Sequence, residues 1–249
     1  CLESRKDDSF LTEKWFCKIE NILKEAEKLN MQVWFFDDFV YPTGYANGAV
    51  EKNPKLRAVH IRAKMTDIIG EEKHAKIFCG LREEFSEKIV SVFLATRNEN
   101  GVDYANAKCV NEFYYDGTLY LDIPQGSYRV IFLIETMDFA ERTYYIDMLN
   151  PASTDLLIEN VYEKIYNRFS DYFGKVIVGF FSDEYRFSDG ISDRTIAPSC
   201  AYEHSVGTPG LAYSWDKEIF KILYKKYGKN APLALWFDIG EATPEIRFD

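Results

Sequence analysis

The spacing of hydrophobic residues changes abruptly near residue 30. From Ser9 to Asn30 apolar residues recur at steps of three and four, which predicts an amphipathic helix; they are Trp15, Ile19, Ile22, Leu23, Ala26 and Leu29. The next segment, VWFF at 33–36, has no polar alternation. A short unbroken apolar run predicts a strand that is covered on both faces, as in a parallel sheet. Two carboxylates, Asp37 and Asp38, follow the strand directly.

The same order of elements occurs a second time. Asn150 and Pro151 suit the first positions of a helix, because Asn caps free N–H groups and Pro has none to leave unpaired. Apolar residues then recur every four positions, at Leu157, Val161, Ile165 and Phe169. The segment KVIVGFFSDE at 175–184 repeats the plan of apolar strand and acidic end. Two helix–strand units predict a βα architecture.

The stretch between these two units has a different pattern. From about 56 to 138, Val-, Ile-, Phe- and Tyr-rich segments alternate with turn sequences such as Asp116-Gly117, which predicts an antiparallel β module. We therefore expect an α/β fold, a TIM-type (β/α) barrel that is partial or truncated, with this module inserted. The predicted division is 1–55 for the first part of the barrel, 56–140 for a β-sandwich-like insert and 141–249 for the rest of the barrel.

Toward the end of the chain, the pattern of WDKEIFKILYKKYG at 215–228 predicts a further helix. The segment LALWFDI at 233–239 fits a strand or a helix, and helix is favoured.

Composition narrows the classes of partner. A formal net charge of −10 over 249 residues disfavours nucleic acid and anionic membranes, which require a basic face. No apolar run reaches the 18 residues that a membrane span needs. The five cysteines are scattered without C-x-x-C spacing, so we expect mostly free thiols. No signal peptide is visible, which favours the cytoplasm, but the compartment and the oligomeric state stay open.

The two acidic strand ends are the strongest candidates for chemistry. In parallel βα barrels the ends of strands carry the active-site groups, so Asp37-Asp38 and Asp183-Glu184 are expected to line one cleft. Two carboxylates held apart serve as acid and base, or acid and nucleophile, across a glycosidic bond. The alternative is that each pair caps a helix, forms a turn or lies in a solvated loop.

Other candidates are weaker. Four aromatic residues fit sugar stacking or simple packing: Trp34, Tyr41, Tyr185 and Trp215. His204, in the loop after Glu184, fits a pocket wall or the surface. No histidine spacing specifies a metal site and no Gly-rich nucleotide loop is present, so no cofactor and no metal ion are predicted. Clustered acids are able to hold a structural Ca²⁺, but no spacing indicates one.

Two segments resemble a known enzyme family. The segment LTEKWFCKIENILKEAEKLNMQVWFFDDFVYPTGYANGAV at 11–50 and the segment DMLNPASTDLLIENVYEKIYNRFSDYFGKVIVGFFSDE at 147–184 resemble (β/α)8 glycoside hydrolases related to the α-L-rhamnosidases of glycoside hydrolase family 106. Where the family has Tyr-Asp-Glu at the end of the first strand, this sequence has Phe36-Asp37-Asp38. Where the family has Phe-Thr-Asp-Glu-Pro, this sequence has FSDEY at 181–185. Three departures stand out: Asp38 replaces a longer Glu, Tyr185 replaces Pro, and only part of a barrel is expected in the sequence.

The resemblance implies hydrolysis of a glycosidic bond in an oligo- or polysaccharide, for example an α-L-rhamnoside. It implies Glu184 as the general acid and Asp38 as the partner that activates water or stabilises charge. Asp37, Asp183, Trp34, Tyr41, Tyr185 and His204 would bind the substrate. The rival hypothesis is a non-catalytic carbohydrate-binding or scaffold protein, supported by the short Asp38. A third class, a metal-dependent lyase or phosphatase, lacks a ligand spacing.

Overall fold

The computed structural model describes residues 2, 7–138, 144–185, 190–191 and 211–248. The helices are α1 (Glu13–Lys28), α2 (Pro151–Leu157), α3 (Glu163–Phe169), α4 (Lys217–Tyr227) and α5 (Thr243–Phe248), and a π-helical turn, Ile158–Tyr162, joins α2 to α3. The strands are β1 (Val33–Phe36), β2 (His60–Ile69), β3 (Glu72–Phe78), β4 (Lys88–Asn98), β5 (Gly101–Val102), β6 (Lys108–Cys109), β7 (Tyr114–Tyr115), β8 (Thr118–Ile123), β9 (Ser127–Thr136), β10 (Ile177–Phe181), β11 (Gly190–Ile191) and β12 (Leu211–Ser214).

The predicted (β/α) barrel is wrong. Among the described strands, β1 and β10 form the one parallel pair, and every other strand pair is antiparallel. A TIM barrel needs eight parallel strands that alternate with helices. The two helix–strand units are real, but β12, expected in the barrel, pairs antiparallel with β2 instead. A local helix–strand pattern does not specify which strand becomes the neighbour, and this is where the prediction failed.

The chain divides into two compact units. Unit 1 comprises Cys1–Ala58 and Tyr144–Phe187, and unit 2 comprises Val59–Thr143 and Ser188–Asp249. The division into 1–55, 56–140 and 141–249 stays a prediction. In the part of the chain that is described, no helix is long and apolar enough to cross a membrane. The three described cysteines, Cys17, Cys79 and Cys109, are free thiols.

Unit 1 is built from the two helix–strand pairs. The apolar stripe predicted for 9–30 forms α1, and it buries Trp15, Ile19 and Leu23. Asn150 caps α2 as predicted, since its side chain accepts a hydrogen bond from the N–H of Ala152. The residues spaced by four along α2 and α3 all face the core; they are Leu157, Val161, Ile165 and Phe169. The sequence pattern therefore predicted these helices and most of their buried faces, but Ile22 and Leu29 of the predicted stripe are exposed.

The parallel pairing of β1 with β10 places the two acidic motifs at one edge. Trp34 pairs with Gly179, and Phe36 pairs with Phe181, the last residue of each strand. The N–H of Asp37 continues the ladder by donating to the carbonyl of Phe181, at 3.2 Å. Because parallel strands end on the same side, the residues after 36 and after 181 emerge together.

Unit 2 contains two antiparallel sheets. The larger has the strand order β11-β12-β2-β9-β4-β5, with β6 also paired to β4, and the smaller has the order β3-β8-β7. Successive residues of β9 point to opposite faces, as the pleat requires. Phe132 packs with Leu119 of the smaller sheet, whereas Leu133 packs with Trp236 on the other face. Both faces of the larger sheet are thus buried.

The segment after β12 supplies the second covering layer of unit 2. The helix predicted at 215–228 is present as α4, with Asp216 as its cap. The segment 233–239, for which helix was favoured, is helical only at its start, where a 3₁₀ helix spans Ala231–Leu235. The Trp236 indole N–H donates to the carbonyl of Leu211 at 2.7 Å, and Phe237 stacks on Tyr104 with 4.0 Å between ring centroids.

A buried carboxylate joins three parts of unit 2. The side chain of Glu87 is fully buried and accepts hydrogen bonds from the guanidinium groups of Arg62 and Arg82. Arg82 also forms an ion pair with Asp138, at 2.6 Å. Burial raises the pKa of Glu87, but the hydrogen bonds from the two arginines outweigh it and lower the pKa to about 2. The ionised form of Glu87 therefore stabilises the folded unit.

Replacing Glu87 with Gln is expected to lower the free energy of unfolding by about 3 kcal/mol, because two arginines lose their charged partner inside the protein. Since the folded pKa lies below the ordinary value, this stabilisation is complete above about pH 4.5 and is lost as the pH falls toward 2. Urea unfolding followed between pH 7 and pH 2 measures both effects. The exposed neighbour Glu84, changed to Gln, is the control. Equal stability of the Glu87 and Glu84 variants would contradict the assignment.

Candidate functional site

Asp38 lies at the centre of the loop that follows β1. Its side chain accepts hydrogen bonds from five backbone N–H groups at 2.7 to 3.2 Å, those of Phe39, Gly44, Tyr45, Ala46 and Asn47. The residue is fully buried. Burial raises the pKa of Asp38, and the backbone hydrogen bonds oppose this by favouring the charged form. Both carboxylate oxygens are occupied, so Asp38 holds the loop in shape.

The loop needs an unusual backbone to aim these N–H groups at one carboxylate. Ala46 and Asn47 have positive φ values of 50° and 51°, and Gly44 has a φ of 140°. A Cβ atom on Gly44 would lie 2.3 Å from the ring of Tyr145. Tyr145 in turn donates its hydroxyl to the carbonyl of Thr43. The Tyr-Pro-Thr-Gly turn of the sequence is therefore a packed element, and only glycine fits at position 44.

Asp37 occupies a second buried position beside this loop. Its Oδ1 accepts from the hydroxyl of Thr43 at 2.6 Å, and its Oδ2 accepts from Tyr162, Ser182 and Tyr185. Four hydroxyl donors satisfy a carboxylate that is wholly removed from water. Burial raises the pKa of Tyr162, and its bond to Asp37 raises it further, so this phenol remains a donor.

Thr43 connects the two acidic motifs directly. Its N–H donates to the carbonyl of Asp183 at 3.0 Å, and its hydroxyl accepts from the N–H of Asp183 at 3.1 Å. The Asp37–Ser182 hydrogen bond adds a second connection. The expected meeting of the two strand ends therefore occurs, although it rests on one pair of parallel strands.

Glu184 is the exposed carboxylate of this edge. It accepts a hydrogen bond from the hydroxyl of Tyr41, which belongs to the first motif. Its backbone φ of 48° lies in the left-handed region, which side chains other than glycine rarely adopt. Such strained positions persist where the surrounding structure imposes them, and they cluster at functional sites. Asp183 is half-buried beside it.

Glu184 and Asp38, which were predicted to act as a catalytic pair, differ in their exposure to solvent. Glu184 is exposed, whereas Asp38 is sealed beneath its own loop. Asp37, predicted to touch the sugar, is also fully buried. The polar residues of the edge that solvent reaches include Glu184, Asp183, Ser182 and Tyr41.

The aromatic candidates take different positions. The Trp34 side chain is 47% exposed and lies across Gly179 of the neighbouring strand, where a Cβ would meet its ring at 2.7 Å. Tyr41 is 37% exposed. The Tyr185 hydroxyl instead turns inward to Asp37, so this residue, found where the related hydrolases have Pro, belongs to the buried network. His204 lies outside the described residues.

Sequence reasoning missed three hydroxyl residues around Asp37, namely Thr43, Tyr162 and Ser182. Thr43 and Ser182 were within the quoted motifs, so their proximity to the acids was a usable signal. Tyr162 lies in the π-helical turn, far from both motifs in sequence, and no pattern pointed to it. No group of three or more His, Cys, Asp or Glu side chains within the described residues is arranged to hold a metal ion.

Two comparisons with known proteins found nothing similar: no protein-family model matches the sequence, and no curated protein matches it. The site is therefore defined by its own geometry: two strand ends joined by buried carboxylates, with an exposed glutamate that accepts a hydrogen bond from Tyr41.

Replacing Asp38 with Asn is expected to lower the free energy of unfolding by about 3 kcal/mol, because an amide nitrogen would face N–H groups that need an acceptor. Urea denaturation measures the loss. The exposed Asp171, changed to Asn, is the matched control from the same unit. An Asp38 variant as stable as the Asp171 variant would show that the loop does not depend on this carboxylate.

Proposed function

We propose that the edge formed by the two acidic motifs of unit 1 binds a carbohydrate and hydrolyses a glycosidic bond, with Glu184 as the general acid. The observation that carries the proposal is the exposure of Glu184 at the point where both motifs meet. A general acid must reach the leaving oxygen of the substrate, so an exposed and oriented carboxyl group suits this role. The sequence resemblance to α-L-rhamnosidase-like hydrolases supports the same chemistry.

The surroundings of Glu184 also suit a sugar. The hydroxyls of Tyr41 and Ser182 and the carboxylate of Asp183 are groups that exchange hydrogen bonds with sugar hydroxyls. Trp34, on the same strand pair, exposes an aromatic surface of the kind that packs against the C–H face of a sugar ring. Carbohydrate is therefore the substrate class that we propose.

Asp38 takes a different role in this proposal from the one first expected. A base or nucleophile must contact water or the sugar, and Asp38 contacts neither solvent nor a cleft. We assign it the positioning of the loop that carries Tyr41 and Thr43. The second group that a two-carboxylate mechanism requires is therefore not Asp38.

The second candidate function is sugar binding without turnover. The burial of both Asp37 and Asp38 favours it, because neither aspartate can then act as the second carboxylate of a hydrolytic mechanism. In that case Glu184 and Tyr41 would hold a sugar by hydrogen bonds, and no glycoside would be cleaved.

The Glu184→Gln variant separates the two functions. For a hydrolase we expect turnover of an aryl glycoside, with aryl α-L-rhamnoside first in the panel, to fall by about 10³-fold, because the amide cannot donate a proton to the leaving group. Sugar binding measured by calorimetry should persist. The exposed Glu163, changed to Gln, is the control. Unchanged turnover would remove Glu184 from the acid role, and binding without turnover in the parent protein would favour the second candidate.

The Tyr41→Phe variant tests how Glu184 is oriented. The ring stays and only the hydroxyl that donates to Glu184 is lost, so we expect kcat to fall by about tenfold while KM changes little. Steady-state kinetics on the same glycoside measure both constants. A rise in KM at constant kcat would instead assign Tyr41 to substrate binding alone.

A further inference from the structure

The smaller sheet of unit 2 presents three aromatic rings to solvent. Phe78, Tyr115 and Tyr120 are 71%, 76% and 43% exposed. The strand pairings place Phe78 opposite Thr118, and Thr118 opposite Tyr115, so these three residues form one row across the sheet. We call the solvent side of this sheet, with Phe78, Tyr115 and Tyr120, the aromatic face.

The exposure of these rings follows from the pleat. Residues at alternate positions of a strand point to opposite sides. Ile77, Leu119 and Tyr114, which are the neighbours of the exposed residues, pack into the hydrophobic core of unit 2. The smaller sheet therefore has one face packed against the core and one face exposed to solvent. The rings of Phe78, Tyr115 and Tyr120 lie on the solvent-exposed face, where polar residues are usual.

The ring of Phe78 is supported by two glycines. A Cβ atom on Gly117 would lie 3.4 Å from one edge carbon of the ring, and a Cβ on Gly80 would lie 3.5 Å from another. The ring thus covers backbone at both places. A ring that is seated before a ligand arrives loses little conformational entropy on binding, which favours affinity.

A groove adjoins the aromatic face at Gly117. It has a volume of about 370 Å³. Its apolar part is lined by Leu81, Ile89 and Tyr114, and its polar part by Lys88, Asn111 and Asp116. Asn111 uses its side-chain oxygen to accept from the N–H of Val92 and the hydroxyl of Ser91. Its amide nitrogen is then the donor that it can offer to a ligand.

The chemistry of the face selects the class of ligand. On the aromatic face, the hydroxyl of Thr118 and the ammonium of Lys76 lie between the rings. A sugar chain has C–H faces that pack on aromatic rings and hydroxyls that form hydrogen bonds with such polar groups, so it matches this arrangement. Single-stranded nucleic acid also stacks on rings, but it requires a basic groove. Here Lys76 and Lys88 are matched by Asp116 and Asp122, in a chain of net charge −10.

The size of the face indicates more than one sugar unit. Phe78 and Tyr115 lie on the two strands that flank β8, so their backbones are about 10 Å apart, two strand spacings. We infer that the aromatic face and the adjoining groove form a binding site for an uncharged oligosaccharide chain. The site lies wholly in unit 2 and does not depend on the function proposed for unit 1.

The test uses the full chain in native gels cast with mixed-linkage β-glucan, xyloglucan, arabinoxylan, galactomannan or amylose. We expect at least one polysaccharide to retard the protein, and the double variant Phe78→Ala/Tyr115→Ala to weaken that binding by about tenfold or more. Glucose and other monosaccharides should compete poorly. Both substituted residues are largely exposed, and thermal melting checks that the variant is folded.

Two control variants make the result specific. Ile69→Ala removes an 81% exposed apolar residue of the same unit, and Tyr166→Ala removes a 53% exposed ring of unit 1 that has no part in the proposed edge. Both should bind as the parent protein does. The inference is overturned if no polysaccharide retards the protein, if the double variant binds unchanged, or if the Tyr166 variant loses binding to the same extent as the double variant. Retardation by oligo-dT in place of polysaccharide would likewise overturn it.

Discussion

The carboxylate of Asp38 is the constraint on which the rest of unit 1 depends. Five backbone N–H groups converge on it, and they come from residues 39 to 47. A buried charge is tolerated only when its hydrogen-bonding capacity is filled, so the loop must close around the side chain for the unit to fold. This closure sets the position of Tyr41 and Thr43, and these two residues make the contacts to the second acidic motif.

Asp37 extends the same principle to the neighbouring strand end. Its four hydroxyl donors come from the loop, the π-helical turn and the segment after β10. The network joins segments more than a hundred residues apart in the chain, so the two motifs are held together by polar contacts as well as by the β1–β10 ladder. Asp37 and Asp38 are both buried, because their carboxylates accept the hydrogen bonds that hold the edge together. Glu184, in contrast, is exposed.

Unit 2 relies on a different arrangement, in which hydrophobic packing on both faces of one sheet dominates. Alternate residues of β9 contribute to two separate cores, and the buried carboxylate of Glu87 holds Arg62 and Arg82 together by ion pairs. The aromatic face departs from this pattern, because large rings lie together in water on the outer side of the smaller sheet. Core packing does not account for the position of Phe78 and Tyr115, and for these residues we propose a ligand.

The sequence by itself determined the local elements of this protein. The stripe of α1, the cap at Asn150 and the apolar strands before each acidic pair were all readable, because they depend on side-chain period and on hydrogen bonds within a few residues. The proximity of Asp37 to Ser182 was also predictable from the strand-end rule. The tertiary structure alone decided the sheet partners, which turned an expected barrel into antiparallel sheets, and the fate of each carboxylate. The sequence around Asp38 does not show whether its carboxylate contacts a sugar or five backbone N–H groups. Its burial depends on the path of the loop around it, which only the tertiary structure gives.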